Sequence, residues 1–121
     1  METSNDFLEN GPPMFKFRVL IEFESGYNVW VARCLETGSV ATADAVDTAK
    51  DMIEELLVDE VTFALEHHNL RNLYSSPAPF DVWIRFRSAQ RGGTPTKPMQ
   101  RAIRAQNTEE VPAEIEIART R

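Results

Sequence analysis

Residues 44–68 carry the strongest periodic pattern of apolar and charged positions in the chain. Apolar residues recur every three or four positions, as on one face of a helix, and mostly charged residues lie between them. Asp44 is expected to cap this helix with Asp47 in the capping-box position, and no proline or glycine interrupts it. We therefore predict one long helix whose apolar stripe must be covered by another layer. The stripe consists of Val46, Ala49, Met52, Ile53, Leu56, Leu57, Val61, Ala64 and Leu65.

Two alternating stretches precede this helix, and a third leads into it. Residues 15–24 and 27–34 alternate between apolar and polar positions, and Ser25 with Gly26 marks a turn between them. Two strands joined by so short a turn predict a β-hairpin. Residues 39–43 predict a short third strand.

The second half of the chain is less regular. Residues 69–79 contain asparagine, serine and two prolines and predict a loop, whereas residues 80–86 alternate again and predict a fourth strand. Beyond Arg87 the composition turns to glycine, proline and basic residues, as in a linker, and residues 99–106 could form one or two helical turns. Residues 113–119 also alternate. They predict either a fifth strand at a sheet edge, in this chain or a neighbouring copy, or a frayed tail.

The predicted order β-β-β-α-β indicates an α+β fold in which a mostly antiparallel sheet packs on one long helix. We assign residues 1–13 to a flexible arm, residues 14–87 to the folded domain and residues 88–121 to a linker and tail. Each bulky side chain that is fully buried in the core contributes roughly 1.5–3 kcal/mol. The expected core residues are Phe15, Phe17, Val19, Ile21, Phe23, Val29, Val31, Val82 and Ile84.

The opposite face of the predicted sheet has no element to cover it, yet it carries two tryptophans. A monomer rarely exposes so much contiguous apolar surface, and tryptophan is frequent where interfaces gain most of their binding energy. The alternative is that the C-terminal segment of the same chain covers both tryptophans. The predicted partner-binding residues on this face are Leu20, Trp30, Ala32, Trp83 and Arg85.

Charge and cysteine content narrow the classes of function. The chain has 121 residues, a net charge of −6 and a pI near 4.9. Such an acidic chain is unlike a general binder of nucleic acids or anionic membranes, but it could dock on a basic partner. With Cys34 as the single cysteine, no apolar run of about 20 residues and no export signal at the N-terminus, we expect a cytoplasmic protein without a membrane span.

No motif for catalysis or for cofactor or metal binding stands out. His67 and His68 would point about 100° apart on a helix and lack a third ligand, and Cys34 has no base placed beside it. We therefore expect no enzymatic activity, no cofactor and no metal. The basic residues that follow the fourth strand lack the aromatic side chains that stack on bases, and they predict a solubilising linker. These are Arg85, Arg87, Arg91, Lys97, Arg101 and Arg104.

A recurring family pattern runs through the second strand, the third strand and the start of the helix. It consists of a tyrosine-led strand, a break that ends in glycine, a threonine and an acid-rich helix start with a small residue in its first turns. The matching positions are Tyr27, Gly38, Thr42, Asp44, Asp47 and Ala49. Residues 17–86 thereby resemble the HicB-like family, the antitoxin partners of HicA in bacterial type II toxin–antitoxin pairs. The chain departs from the pattern at residues 35–37, which lack the usual proline, and at Ala43, where glycine is usual.

The resemblance implies a partial ribonuclease-H-like fold of order β-β-β-α-β that is not itself a nuclease. It implies a protein that binds and neutralises a small basic ribonuclease toxin and that forms a homodimer or a higher homo-oligomer. In the family, DNA binding belongs to a separate C-terminal helical module. Residues 88–121 show no such module, so direct DNA binding is not expected. The alternative is a self-associating structural or regulatory domain with no toxin partner.

Overall fold

The computed structural model describes residues 15–90, 96–99, 103–104 and 110–120. The protein is α+β, as predicted, and the arm predicted for residues 1–13 lies outside the described residues. In chain order the elements are β1 (Phe15–Glu24), β2 (Val29–Cys34), β3 (Val40–Ala43), α1 (Val46–Glu66), α2 (Leu70–Leu73), α3 (Phe80–Ala89), β4 (Thr96–Pro98), β5 (Ile103–Arg104), β6 (Glu110–Val111) and β7 (Ala113–Arg119).

Five strands form one mixed sheet in the order β3-β2-β1-β7-β4. The predicted hairpin is confirmed, since β1 pairs with β2 in an antiparallel arrangement, while β7 pairs with β1 in a parallel one. β7 covers the residues predicted for the fifth strand, but it lies inside the sheet of its own chain, between β1 and β4. The prediction of helical turns within residues 99–106 is wrong for Ile103–Arg104. This pair of residues is extended and pairs with Glu110–Val111.

α1 covers one face of the sheet, as its periodicity predicts. Its buried stripe runs at steps of three and four residues and packs on the odd-numbered side chains of β1 from Phe15 to Ile21, which are also buried. Dense packing of this kind makes the α1 face the main core. Phe23, which was expected in the core, is 43% exposed at the end of the strand. The central members of the stripe are Ala49, Ile53, Leu57, Val61 and Ala64.

The start of α1 differs from the prediction. The helix begins at Val46, its N-cap is Ala45, and no side chain caps it with a hydrogen bond. Asp44 is therefore not the capping residue. Asp47 does lie in the first turn, where a negative charge favours the positive end of the helix dipole.

The predicted fourth strand at residues 80–86 is wrong, because this segment is the helix α3. Val82 and Phe86 are four residues apart and both are buried, whereas Phe80 and Ile84 are exposed. A segment of seven residues spans fewer than two helical turns. The four-residue spacing of Val82 and Phe86 therefore fits both the two-residue period of a strand and the 3.6-residue period of a helix. Pro79 immediately before the helix supplies a fixed backbone angle at its start, which favours the helical reading.

α3 lies on the second face of the sheet, for which the sequence predicted no covering element. Val82 and Phe86 pack with Leu20 of β1 and Ala118 of β7 in a second, smaller apolar cluster. Leu20 and Ala118 are neighbours in the parallel register of β1 and β7 and are fully buried. The sheet is therefore covered on both faces by helices of its own chain.

The faces assigned to β2 are also wrong, because of the length of the hairpin turn. Residues 25–28 form the turn, and the register pairs Phe23 with Trp30 and Ile21 with Ala32. Directly paired residues share a face, so the even positions of β2 lie with the odd positions of β1. Trp30 and Ala32 consequently face α1, and Val29 and Val31 face the other way.

Gly38 sits where the loop before α3 crosses the break between β2 and β3. Its φ is +78°, and a Cβ atom added there would clash with the backbone oxygen of Ser76. Only glycine adopts this conformation readily and leaves room for the crossing chain.

Replacing this glycine should therefore destabilise the fold. Gly38→Ala should lower the free energy of unfolding by about 1–3 kcal/mol, as measured by urea denaturation, because of the left-handed conformation and the backbone clash. Gly26→Ala is the matched control, since no atom outside residues 25–27 lies within 4 Å of its added Cβ. The control should change stability by less than about 1 kcal/mol, and equal losses in both variants would contradict the close crossing at Gly38.

Candidate protein-binding surface

The five predicted partner-binding residues do not share one open face. Leu20 and Ala32 are fully buried, under α3 and α1 respectively, so neither offers surface to a partner. Trp30 is half-buried on the α1 side, against Phe23. Trp83 and Arg85 lie on α3. The expectation of a single face failed because it combined the wrong hairpin register with a strand in place of α3.

An exposed apolar strip on α3 replaces the predicted face. Phe80 is 78% exposed and Ile84 is 51% exposed. They lie four residues apart, and side chains at that spacing are neighbours on a helix surface. Since Val82 and Phe86 already anchor the helix to the sheet, the strip plays no part in holding α3 in place. We call Phe80 and Ile84 the α3 strip.

Trp83 stands beside the α3 strip in a fixed position. Its Nε1 donates a hydrogen bond to the backbone oxygen of Ala78 at 3.0 Å. The guanidinium carbon of Arg18 lies 4.7 Å from the centre of the Trp83 ring, in a cation–π contact. Arg18 is held in turn by Glu36, whose carboxylate accepts from Arg18 Nε at 2.6 Å and from its backbone N–H at 2.8 Å.

A groove of about 740 Å³ runs along this side of α3. Its size falls in the range of sites that bind drug-sized ligands or short peptide segments. Its walls are largely apolar and aromatic, and the charged residues among those that line it are Arg18 and Arg87. The apolar lining residues include Leu35, Ala78, Phe80, Trp83, Ile84 and Phe86.

Arg85 faces away from the groove and ties α3 to the sheet. Its guanidinium donates to both carboxylate oxygens of Glu22 on β1, at 2.7 and 3.2 Å, and to Asp81 at 2.6 Å. The hydrogen bonds to Glu22 and then to Asp81 hold the pKa of Arg85 above its usual value. The hydrogen bond from Arg85 likewise lowers the pKa of Asp81. Arg85 therefore positions the helix in this structure.

A second, smaller cavity of about 390 Å³ lies between α1 and α2. Two of its lining residues, Thr37 and Glu60, are joined through Ser39. The Ser39 hydroxyl donates a hydrogen bond to Glu60 at 2.5 Å and lies 2.7 Å from the hydroxyl of Thr37. This network ties the segment before β3 to α1. Ser39 is 9% exposed, and its hydroxyl is occupied by both partners.

Neither histidine is arranged as a metal ligand. His67 Nδ1 lies 2.8 Å from the backbone oxygen of Phe63, and the two rings stack with centroids 3.9 Å apart. Within the described residues, no group of three or more His, Cys, Asp and Glu side chains could hold a metal ion.

Cys34 is a core side chain in this fold. It is fully buried at the end of β2, and burial raises the pKa of its thiol to about 11. Its sulfur lies 3.8 Å from a carboxylate oxygen of Glu36. A nucleophilic cysteine needs a thiolate near neutral pH, and this site disfavours that charge.

None of the family models, curated proteins or solved structures compared with the chain matches it. Among the described residues, no helix combines the length and the apolar character needed to cross a membrane.

Sequence reasoning missed the α3 strip because it placed Ile84 in the core and Phe80 on a strand. A signal was present beyond the seven residues considered. Val82, Phe86 and Ala89 recur at four- and three-residue steps, and Asp81 and Arg85 form an oppositely charged pair four residues apart. Arg18 and Leu35 line the groove because segments far apart in the sequence pack together. A local sequence pattern cannot predict such packing.

The buried state of Cys34 predicts slow thiol chemistry. The pKa of this thiol rises from 9.0 to about 11, which is two units, so the thiolate fraction at pH 8 should fall about a hundredfold. The folded protein should therefore react with an aromatic disulfide reagent at least about a hundredfold more slowly than the urea-unfolded protein, as followed by absorbance.

The same shift predicts a pH dependence of stability. Because the pKa is raised in the folded state, the contribution of Cys34 is present below pH 9.0 and is lost as the pH rises towards about 11. Cys34→Ala should remove this part of the alkaline decline. For the thiol reaction described above, equal rates for the folded and the unfolded protein would contradict the buried position of Cys34.

Proposed function

We propose that this chain is a non-enzymatic protein-binding module whose partner docks on the α3 strip. The observation that carries the proposal is the exposure of Phe80 and Ile84, at 78% and 51%, on a helix that is already anchored by other residues. Large apolar side chains that are not needed for folding and lie next to each other are typical of interaction sites.

The surroundings of the strip favour tight binding. Trp83 is held by Ala78 and Arg18 before any partner arrives, so little side-chain freedom is lost on association. Preorganised aromatic residues beside a groove are frequent centres of binding energy. The pair between Arg85 and Glu22 keeps the helix from rotating and keeps the strip facing outward.

The resemblance to the HicB-like family suggests the class of partner. The α+β architecture, in which the long helix α1 packs on a five-stranded sheet, is broadly compatible with the fold that the resemblance implies. We therefore propose an antitoxin-like role, in which the chain neutralises a small basic ribonuclease toxin. The net charge of −6 and the exposed acids of α1, such as Asp51, Glu55 and Asp59, would steer a basic partner towards the chain.

Self-association without a toxin is the second candidate function. It is favoured by β3, a strand at the edge of the described sheet whose Val40 is 46% exposed. An edge strand offers unpaired backbone groups to a second copy. A homodimer formed in this way would leave the α3 strip free, so the two functions are separable.

Capture from the native host tests the proposal. The tagged full-length chain should retain a small basic protein in stoichiometric amount, identified by mass spectrometry. That protein, released and refolded, should cleave RNA, and an equimolar amount of the chain should suppress the cleavage. A variant with Phe80→Ser and Ile84→Ser should bind at least about a hundredfold more weakly, because it loses two apolar anchors.

A matched control uses two exposed apolar residues of α1, Met52 and Phe63, which are 42% and 59% exposed. Met52→Ser with Phe63→Ser should retain the partner and its inhibition. A partner that cleaves RNA equally with and without the chain would refute the antitoxin-like role. Recovery of the chain alone, as a dimer that the α3 variant still forms, would favour self-association.

A further inference from the structure

The groove beside the α3 strip has a charge opposite to that of the chain as a whole. The charged residues among those that line it are Arg18 and Arg87, in a protein of net charge −6. Arg18 is partly neutralised by Glu36. Arg87 is exposed, and no ion pair of Arg87 occurs within the described residues. The groove therefore offers a guanidinium that is ready to pair with an incoming anion.

The shape of the groove suits a segment of polypeptide. α3 has ten residues and is about 15 Å long, which matches nearly three turns of a partner helix. Phe80, Ile84 and Arg87 follow one another at steps of four and three residues along this side of α3. Two apolar contacts and one cationic contact thus lie in a row, next to the fixed ring of Trp83.

We propose that the groove between α3 and the two adjoining loops that carry Leu35 and Ala78 binds an acidic amphipathic segment of the partner protein. This inference rests on the proposed function and specifies the part of the partner that docks. Apolar side chains of the segment pack on Phe80, Ile84 and Trp83, and a carboxylate of the segment pairs with Arg87. A basic segment would place its cations against Arg18 and Arg87, which disfavours it.

The charge of the groove and the charge of the chain act at different distances. The acids on α1 attract a basic partner from afar, whereas the groove selects the segment that makes the close contact. A buried apolar contact flanked by one bidentate arginine–carboxylate pair provides both affinity and orientation.

Selection from a phage-displayed library of random peptides tests the inference. The peptides should have about 12 residues, enough for three helical turns, and the bait should be the full-length chain. Enriched sequences should combine two large apolar residues, three or four positions apart, with at least one Asp or Glu. Binding of a synthesised winner is measured through Trp83 fluorescence in a Trp30→Phe background, so that the reporter lies in the groove.

Charge reversal supplies the decisive comparison. Arg87→Glu should weaken binding of the winning acidic peptide at least about tenfold, and added salt should weaken binding to the unreversed chain. Arg71→Glu makes the same charge change on α2, away from the groove, and should leave the affinity within about twofold. Phe80→Ser should abolish the fluorescence change.

Several results would overturn the inference. These are a library that yields no winner, winners that are basic, or an acidic winner that binds the Arg87→Glu variant unchanged. If decanoate displaced the peptide and bound with the same affinity as the peptide, the groove would be assigned to a small carboxylic acid instead. Dimerisation of the chain through the groove, lost in Phe80→Ser, would assign it to a second copy. Any of these results combined with α3-dependent capture of the ribonuclease would leave the proposed function standing.

Discussion

The packing of α3 on Leu20 and Ala118 is the contact on which the rest of the candidate site depends. β1 and β7 run parallel in the middle of the sheet, and their register places these two side chains next to each other on one face. Both are small or medium-sized and fully buried, so they form a flat apolar floor on which Val82 and Phe86 can settle. Without β7 this floor would have only half its width.

The geometry of one helix then divides its apolar residues into two groups. The residues that point at the floor hold the helix, while Phe80 and Ile84, on the opposite side, are left in water. The hydrogen bonds from Arg85 to Glu22 fix the rotation of the helix about its axis. Trp83 lies between the two groups, where Arg18 and the backbone of Ala78 hold it at the edge of the groove.

The parts of the fold that could be predicted are those with long local patterns. The stripe of α1 repeats over five turns, and the alternation of β1 covers ten residues, so each excludes the competing period. The segment around Phe80 is too short to do so. The faces of β2 depended on the number of residues in the turn at 25–28, since a change of one residue there exchanges Trp30 and Val31.

Other features could not be predicted because they are non-local. The position of β7 beside β1 joins residues about a hundred positions apart, and alternation alone does not show which strand is the neighbour. The groove likewise brings Arg18, Leu35 and Arg87 together from three separate segments. Of the predicted binding residues, Trp83 does line the groove, but it does so as part of a helix and not of the predicted strand. Binding by Trp30 stays a prediction.

A comparison of two phenylalanine truncations in α3 tests the central claim most directly. If residues 80–89 form a helix on Leu20 and Ala118, Phe86→Ala should lower the free energy of unfolding by about 3–5 kcal/mol in urea denaturation. Phe80→Ala should lower it by less than about 1 kcal/mol, because its ring is mostly in solvent. Similar large losses in both variants, as expected for a strand that buries Phe80 and Phe86 on one face, would contradict the account.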